Sequence, residues 1–185
     1  PVRSSPTSVV HPGASLGWTN VLGVRVSAVN LKSATGFIQK AIEDGRKEYV
    51  CVRDAHGIVR CQDDPELRSI HNRAFLVTPD GMPLVWALRK AGHAESGRVY
   101  GPDLMLSVFD AGSAKGLRHF LYGATAETLE QLQARLLAKF PQARIVGSYA
   151  PPFRKLSTRE ETDIADRLNR SGADIIWVGL SSPKQ

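Results

Sequence analysis

The chain has 185 residues, of which 42% are hydrophobic and 23% charged, a composition typical of a globular protein with a core of ordinary size. Its 24 basic residues exceed its 18 acidic ones, and the net charge of +6 suits an anionic partner such as a nucleotide, a lipid surface or a nucleic acid. Aromatic residues make up only 7% and do not alternate with basic residues, so we expect no nucleic-acid partner.

The two cysteines and five histidines form no pattern typical of a disulfide framework or a metal site, so we expect no metal. No apolar run approaches about 18 residues, the length that a membrane-spanning helix needs. The first residues lack the pattern of a signal peptide. We therefore expect the chain to be soluble and intracellular.

Residues 1–20 are rich in proline, serine, threonine and glycine without periodicity, which predicts a flexible N-terminal tail. Residues 21–185 are expected to form one α/β core. The predicted elements of its first half are, in chain order, a strand at 21–26, a helix at 33–44, a strand at 48–53, a helix at 64–73, a strand at 75–77 and a helix at 83–91.

The second half continues the alternation of helices and strands. Its predicted elements are a helix at 102–111, a strand at 117–122, a long helix capped by Thr125, a strand at 144–148, a helix opened by Ser157 and Glu160 as a capping box, and a strand at 175–179. Parallel strands need crossovers of this length, so the pattern predicts a Rossmann-like, mostly parallel sheet with helices on both faces.

Asp80 is the first candidate for a residue that does chemistry. It follows the short apolar run at 75–77 and precedes a predicted helix, and ligands of α/β proteins collect outside the carboxyl ends of strands. Asp is also a good helix N-cap, and Pro83 fits a first helical turn. Because caps are far commoner than catalytic acids, the local pattern by itself favours a cap.

A second candidate site is the turn formed by Gly123, Ala124 and Thr125. A strand here runs through a glycine into a helix N-terminus, whose free N–H groups and positive dipole suit a phosphate. The segment lacks both GxGxxG and the Walker spacing, so it indicates neither a dinucleotide enzyme nor a P-loop ATPase. A plain turn with a threonine cap explains the pattern equally well.

Lys184 and Gln185 form a third candidate site. They follow the predicted strand at 175–179 and are expected at the same sheet edge as Asp80 and Gly123, where a cation and an amide suit a phosphate and a base. The alternative is a solvated chain end, which local composition favours.

Five short motifs that occur in a fixed order favour a functional explanation for these candidate sites. They are Pro79-Asp80-Gly81, the segment from Arg98 to Leu104, Leu121-Tyr122-Gly123, Ile145-Val146-Gly147 and the segment from Gly179 to Gln185. The set resembles the WecG/TagA/CpsF family of glycosyltransferases, glycosyltransferase family 26, over residues 21–185. The resemblance implies an inverting, metal-independent transfer from a UDP-sugar to a polyprenyl-diphosphate-linked saccharide, without a cofactor, at the inner face of the cell membrane.

The resemblance also implies roles for individual residues. Asp80 takes the place of the proposed general base, which an inverting transfer needs because the acceptor hydroxyl must lose its proton. Arg98, with backbone donors near Gly123, is expected to stabilise the diphosphate. Asp103 lies in a matching motif and is expected to bind substrate, while Lys184 and Gln185 are expected at the nucleotide.

The chain departs from the family pattern at two internal places. Val52-Arg53-Asp54 stands where the family usually has Thr-x-Asn, so Asp54 is a candidate substitute for the asparagine. With His56 it is a candidate second acid/base or acceptor contact, although a turn aspartate after a strand is as good an explanation. Residues 151–153, Pro-Pro-Phe, stand where the family often has Gly-Tyr-Phe, so we expect donor choice to differ.

Family members continue beyond the last motif with a basic appendage that helps them bind the membrane. The chain is therefore either a truncated core or a natural variant with impaired catalysis. We favour the first and expect weak activity, with the membrane contact in a missing segment. Exposed apolar residues around Trp86 and Leu88 are a candidate interface between copies of the chain. The rival functions are a non-catalytic nucleotide-binding or sensing module, and a small dehydrogenase, whose glycine fingerprint the chain lacks.

Overall fold

The structure is a computed structural model that describes residues 16–180. The chain divides into two compact units, one up to Val108 and one from Phe109 onward, and each is described by itself. The predicted tail lies mostly outside the described residues, but its last part does not, because the first strand already begins at Trp18. Lys184 and Gln185 also lie outside the described residues.

The first unit alternates short strands with helices. Its elements are β1 (Trp18–Val21), β2 (Val24–Ser27), α1 (Leu31–Glu43), β3 (Val50–Arg53), α2 (Ala55–Asp63), α3 (Pro65–Arg73), β4 (Leu76–Pro79) and α4 (Met82–Lys90), and α5 (Gly101–Ser113) runs from it into the second unit. Helix α3 starts as its sequence predicts, with Asp64 capping the amide of Leu67 at 2.8 Å and Pro65 in the first turn.

Two elements of this unit differ from the sequence-based prediction. The predicted strand at 21–26 is a hairpin, because Leu22 and Gly23 both have positive φ angles, 50° and 84°, and reverse the chain. A leucine gives no signal for such a turn. Helix α2 was not among the predicted elements; Asp54 caps it, and Ile58 and Cys61 are buried on its inner side.

The strands of the first unit form two small sheets. β1 and β2 pair antiparallel, whereas β3 and β4 pair parallel with Arg53 opposite Pro79. The Ser27 hydroxyl accepts a hydrogen bond from the Val77 amide at 3.0 Å and so links β2 to β4. The core between these strands and the helices consists of buried residues from four elements: Val24, Val26, Ile58, Cys61, Val77, Leu84 and Leu88.

The second unit is a three-stranded parallel sheet with helical crossovers. Its elements are β5 (Arg118–Gly123), α6 (Ala126–Lys139), β6 (Arg144–Tyr149), α7 (Thr158–Arg170) and β7 (Ile175–Gly179), and the strand order is β6-β5-β7. Thr125 caps α6, and Ser157 with Glu160 forms the predicted capping box of α7. The α/β class and Rossmann-like parallel pairing predicted from the sequence are confirmed.

Aromatic rings fill the core of the second unit. The ring of Phe109 stacks on that of His119, with centroids 3.8 Å apart, and Trp177 donates from Nε1 to His119 Nδ1 at 3.1 Å. Since Nδ1 accepts, the histidine is neutral and its proton sits on Nε2, for which the described residues offer no partner. Burial lowers the pKa of His119 to about 4.

One positional expectation is corrected by the sheet topology. Asp80 follows β4 and Gly123 ends β5, and these strands belong to different hydrogen-bonded sheets in different units. Repeated strand–helix patterns predict parallel pairing but do not specify which strands share a ladder, because that depends on packing between distant segments.

Candidate active site

Asp80 lies just beyond β4, and its carboxylate is not a helix cap. Helix α4 begins at Met82, and its N-cap is Gly81, which has no side chain to make a cap hydrogen bond. The Asp80 amide donates to the Arg53 carbonyl at 2.9 Å, which continues the β3–β4 ladder by one residue. The helix-cap role that the local sequence favoured for Asp80 is therefore wrong. Its carboxylate does not bond to the start of α4 and can take part in chemistry.

Arg98 holds Asp80 at both its backbone and its side chain. Nη2 of Arg98 donates to Oδ1 of Asp80 at 3.3 Å, and Nε donates to the Asp80 carbonyl oxygen. The Val99 amide donates to Pro79 at 2.8 Å and fixes this segment against β4, while the Arg98 guanidinium stacks on Tyr100 at 4.7 Å. The Asp80 side chain keeps 24% of its surface exposed, so the carboxylate is oriented yet reachable from solvent.

Asp54 lies at the end of the neighbouring strand. A Cβ atom added to Gly81 would lie 3.9 Å from the Asp54 Cβ, so the two carboxylate-bearing residues flank the same pair of strand ends. The Asp54 carboxylate accepts from the Gly57 amide at 2.8 Å and caps α2. Asp54 thus has a structural role as a helix cap rather than the turn aspartate predicted from the sequence, and its exposed side chain is also accessible.

His56 and Asp103 lie on the exposed first turns of two helices. His56 is in the first turn of α2 and Asp103 in that of α5. At the start of α5, a Cβ atom on Gly101 would lie 3.9 Å from Cγ1 of Val52 in β3. Hydrogen bonds and strand pairing bring Asp54, Asp80 and Arg98 together, whereas only helix position relates His56 and Asp103 to them.

A partly buried contact between Arg53 and His71 supports this strand end and was not predicted. Nε of Arg53 donates to Nε2 of His71 at 2.6 Å, and Nδ1 of the same ring donates to the Leu67 carbonyl at 2.7 Å. Burial lowers the pKa of His71, as does the charge of Arg53, so the ring is neutral. The two residues are far apart in sequence, and no local pattern reveals that they pair.

The Gly123 turn of the second unit is built on close backbone approach. Gly123 has a φ of 123°, and a Cβ atom there would lie 2.5 Å from the Gly179 carbonyl oxygen. The Ala124 amide donates to that same oxygen at 3.2 Å, so this N–H is already used. Thr125 accepts from the Thr128 amide at 3.2 Å as the N-cap of α6. The turn is exposed at Ala124 and Thr125, and the plain capped turn drawn as an alternative from the sequence is present.

Residues 16–180 offer neither a metal-binding cluster nor a membrane-spanning helix. No group of three or more histidine, cysteine, aspartate or glutamate side chains in this part of the chain could hold a metal ion. Among the helices described, none is both long enough and apolar enough to cross a bilayer.

Comparison with known proteins identifies the family. A sequence profile of the glycosyl transferase WecG/TagA/CpsF family matches residues 19–185, which is nearly the whole chain. A protein of Bacillus spizizenii named N-acetylglucosaminyldiphosphoundecaprenol N-acetyl-beta-D-mannosaminyltransferase is 28% identical over 122 residues. The match covers 66% of this chain and 46% of that relative, so the chain spans about half the relative's length. The chain belongs to the WecG/TagA/CpsF family of glycosyltransferases.

Proposed function

We propose that the protein is an inverting glycosyltransferase that moves a sugar from a UDP-sugar to a polyprenyl-diphosphate-linked saccharide during synthesis of a cell-surface polysaccharide. Membership of the family supports glycosyl transfer. The name of the Bacillus relative supports an acceptor carried on a polyprenyl diphosphate. The observation that carries the proposal is Asp80, a carboxylate that is not used as a helix cap and that Arg98 orients.

In the proposed reaction Asp80 is the general base. An acceptor hydroxyl attacks the anomeric carbon from the face opposite UDP, and Asp80 takes the hydroxyl proton as the new C–O bond forms. The bond from the anomeric carbon to the diphosphate oxygen breaks, and its electron pair leaves with UDP. Arg98 keeps the carboxylate in position, so that the transfer does not wait for the side chain to find its orientation.

We assign the remaining candidate residues to substrates. The turn formed by Gly123, Ala124 and Thr125 is proposed to bind the UDP diphosphate. The Ala124 amide is already bonded to Gly179, so the proposed donors are the amides that follow it in the first turn of α6. Lys184 and Gln185 are proposed to complete the nucleotide site. Asp54, His56 and Asp103 are proposed to contact the acceptor or the sugar. This scheme needs no metal or cofactor, because backbone donors at the start of α6 are proposed to offset the diphosphate charge.

The proposal also places the protein at the inner face of the cell membrane, where a polyprenyl-linked acceptor resides. The rival proposal, a nucleotide sensor, is favoured by one feature: Val52, where the family pattern has a threonine, is apolar and lies against the start of α5. A sensor would bind UDP without transferring sugar.

Two measurements test the proposal. Calorimetry should detect UDP binding, and Asp80→Asn should keep this affinity. A panel of UDP-sugars with a polyprenyl-diphosphate-linked acceptor should give turnover in the presence of a chelator, and Asp80→Asn should lower it between about 10²- and 10⁴-fold. Asp44→Asn, an exposed aspartate at the end of α1, is the control that should leave turnover unchanged. UDP binding without turnover would support the sensor, and full turnover by Asp80→Asn would remove the assigned base.

A further inference from the structure

Helix α4 has an exposed apolar stripe that starts beside the candidate site. Met82, two residues after Asp80, is 40% exposed, and Trp86, one turn later, is 61% exposed. The opposite side of the helix is buried in the core through Leu84 and Val85. The prediction of an exposed surface around Trp86 is thus confirmed, whereas Leu88, predicted to share it, is buried.

The end of the same helix is cationic. Arg89 and Lys90 form its last turn, both are exposed, and α4 contains no acidic residue. Arg89 donates from Nε to the Ser96 carbonyl at 2.9 Å, which fixes the guanidinium at the helix end. Positions 82, 86, 89 and 90 recur at the spacing that puts side chains on one side of a helix. We call Met82, Trp86, Arg89 and Lys90 the Trp86 surface.

We propose that the Trp86 surface docks the protein on an anionic lipid bilayer. Tryptophan is favoured at the boundary between headgroups and acyl chains, where its ring lies among apolar groups and its N–H stays wet. Lysine and arginine beside it are attracted to negatively charged headgroups. The inference builds on the proposed function, because a lipid-linked acceptor requires the candidate base to work at a membrane.

A second copy of the chain fits this surface less well than a bilayer does. Stable interfaces bury about 800 Å² on each partner, far more than two apolar side chains supply. A twofold contact through this face would also bring Arg89 and Lys90 of both copies together, with no acidic residue on the helix to offset them. An anionic bilayer complements both the ring and the charges.

The chain contains a matched control for the tryptophan. Trp18 in β1 is also exposed, at 43%, and also has a cation beside it, with the Arg25 guanidinium 4.5 Å from its ring centroid. If exposure and a nearby cation were sufficient for lipid binding, Trp18 and Trp86 would respond alike. If the Trp86 surface is the docking face, only Trp86 responds.

The test uses vesicles of phosphatidylcholine, alone or mixed with phosphatidylglycerol, and brominated lipids that quench nearby indole fluorescence. The protein should sediment with the mixed vesicles, and bromine quenching should persist in Trp18→Phe but disappear in Trp86→Phe. Trp86→Ala should weaken binding about tenfold through lost apolar contact. Lys90→Gln should weaken it about fivefold, which corresponds to about 1 kcal/mol per cation at an anionic surface.

Circular dichroism of each variant checks that the helical fold is retained. Unchanged vesicle binding by folded Trp86→Ala, or equal quenching of both tryptophans, would overturn the proposal. So would a concentration-dependent dimer in lipid-free solution that Trp86→Ala abolishes, since that result would assign the surface to a second copy. UDP calorimetry stays independent of these outcomes: its failure would remove the proposed function while leaving vesicle docking intact.

Discussion

Arg53 and His71 are joined by a 2.6 Å hydrogen bond from the guanidinium Nε to the imidazole Nε2. His71 is almost wholly buried and also donates to Leu67, so both ring nitrogens are occupied. The contact ties α3 to the end of β3, one residue before Asp54. It thereby fixes the strand end from which the candidate site is built.

Loss of the His71 ring nitrogens should destabilise the protein. His71→Phe keeps the ring volume but leaves the Arg53 Nε and the Leu67 carbonyl without their partner, a cost of about 1–3 kcal/mol for a buried unsatisfied group. Urea denaturation followed by circular dichroism measures it. The control is His56→Phe on the exposed side of α2, expected to stay within about 0.5 kcal/mol of the parent. Equal effects of the two variants would contradict a supporting role for the Arg53–His71 contact.

Removal of the Arg98 guanidinium should slow turnover without unfolding the protein. Arg98→Gln loses the paired hold on Asp80, and a misplaced base costs up to about 100-fold in rate. Arg98→Lys should recover only part of this loss, because an ammonium cannot reach both oxygens as a planar fork does. Steady-state kinetics with the lipid-linked acceptor measures both. Arg25→Gln, which removes another arginine stacked on an aromatic ring, should leave the rate unchanged.

Acid should destabilise the second unit at pH values higher than those at which its carboxylates become protonated. The pKa of His119 is lowered to about 4 by burial, so the folded state favours the neutral ring. The resulting stability is complete above the unfolded pKa of about 6.5 and falls as pH drops from there toward 4. A protonated Nδ1 would face the Trp177 N–H and break that hydrogen bond. Thermal melts between pH 7 and 4 should decline less steeply for His119→Phe than for the parent.

Arg154 lowers the pKa of Glu160, and Arg118 lowers the pKa of Asp174. Protonation of these two carboxylates therefore destabilises the fold only at lower pH. These carboxylates ordinarily titrate near 4.5 and 3.8. Equal slopes for His119→Phe and the parent above pH 4.5 would show that the histidine does not govern this range.

Alanine should have opposite effects at two glycines. Gly123→Ala places a Cβ atom 2.5 Å from the Gly179 oxygen at a positive φ, and we expect a loss of about 1–3 kcal/mol from strain. Gly36→Ala, in the middle of α1 with no atom within 4 Å of the new Cβ, should stabilise by about 0.5–1 kcal/mol. Chemical denaturation of both variants measures the difference. A tolerated Gly123→Ala would mean that β5 and β7 can separate at this point.

The sequence predicted best those features whose signals are local. Three helix starts were predicted correctly, because a cap and the first turn that it precedes are neighbours in the chain. They are marked by Asp64 with Pro65, by Thr125, and by Ser157 with Glu160. At Asp80 the same local rules favoured a cap, but the N-cap of α4 is Gly81. The place of Asp80 after a predicted strand made it a candidate, and the family resemblance then favoured a chemical role over a cap.

Features that depend on distant contacts were not predicted. Leu22 adopts a positive φ because the strands of the hairpin pair around it, against the preference of its own side chain. The Arg53–His71 bond depends on where α3 packs, and the division of strands among separate sheets depends on tertiary structure as well. None of these has a period or a spacing that a single sequence displays.

The contact between Gly123 and Gly179 limits how this turn can be engineered. The atoms that a side chain at 123 would strike are the carbonyl oxygen and carbon of Gly179, which every amino acid carries. No compensating substitution at 179 can make room, because there is no side chain to shorten. A library that diversifies this turn, the proposed nucleotide site, should therefore keep position 123 fixed. Position 124 has a φ of 54° and is restricted to residues that tolerate it, such as glycine and asparagine. Position 125 can vary among the residues that cap a helix well, because Thr125 caps α6.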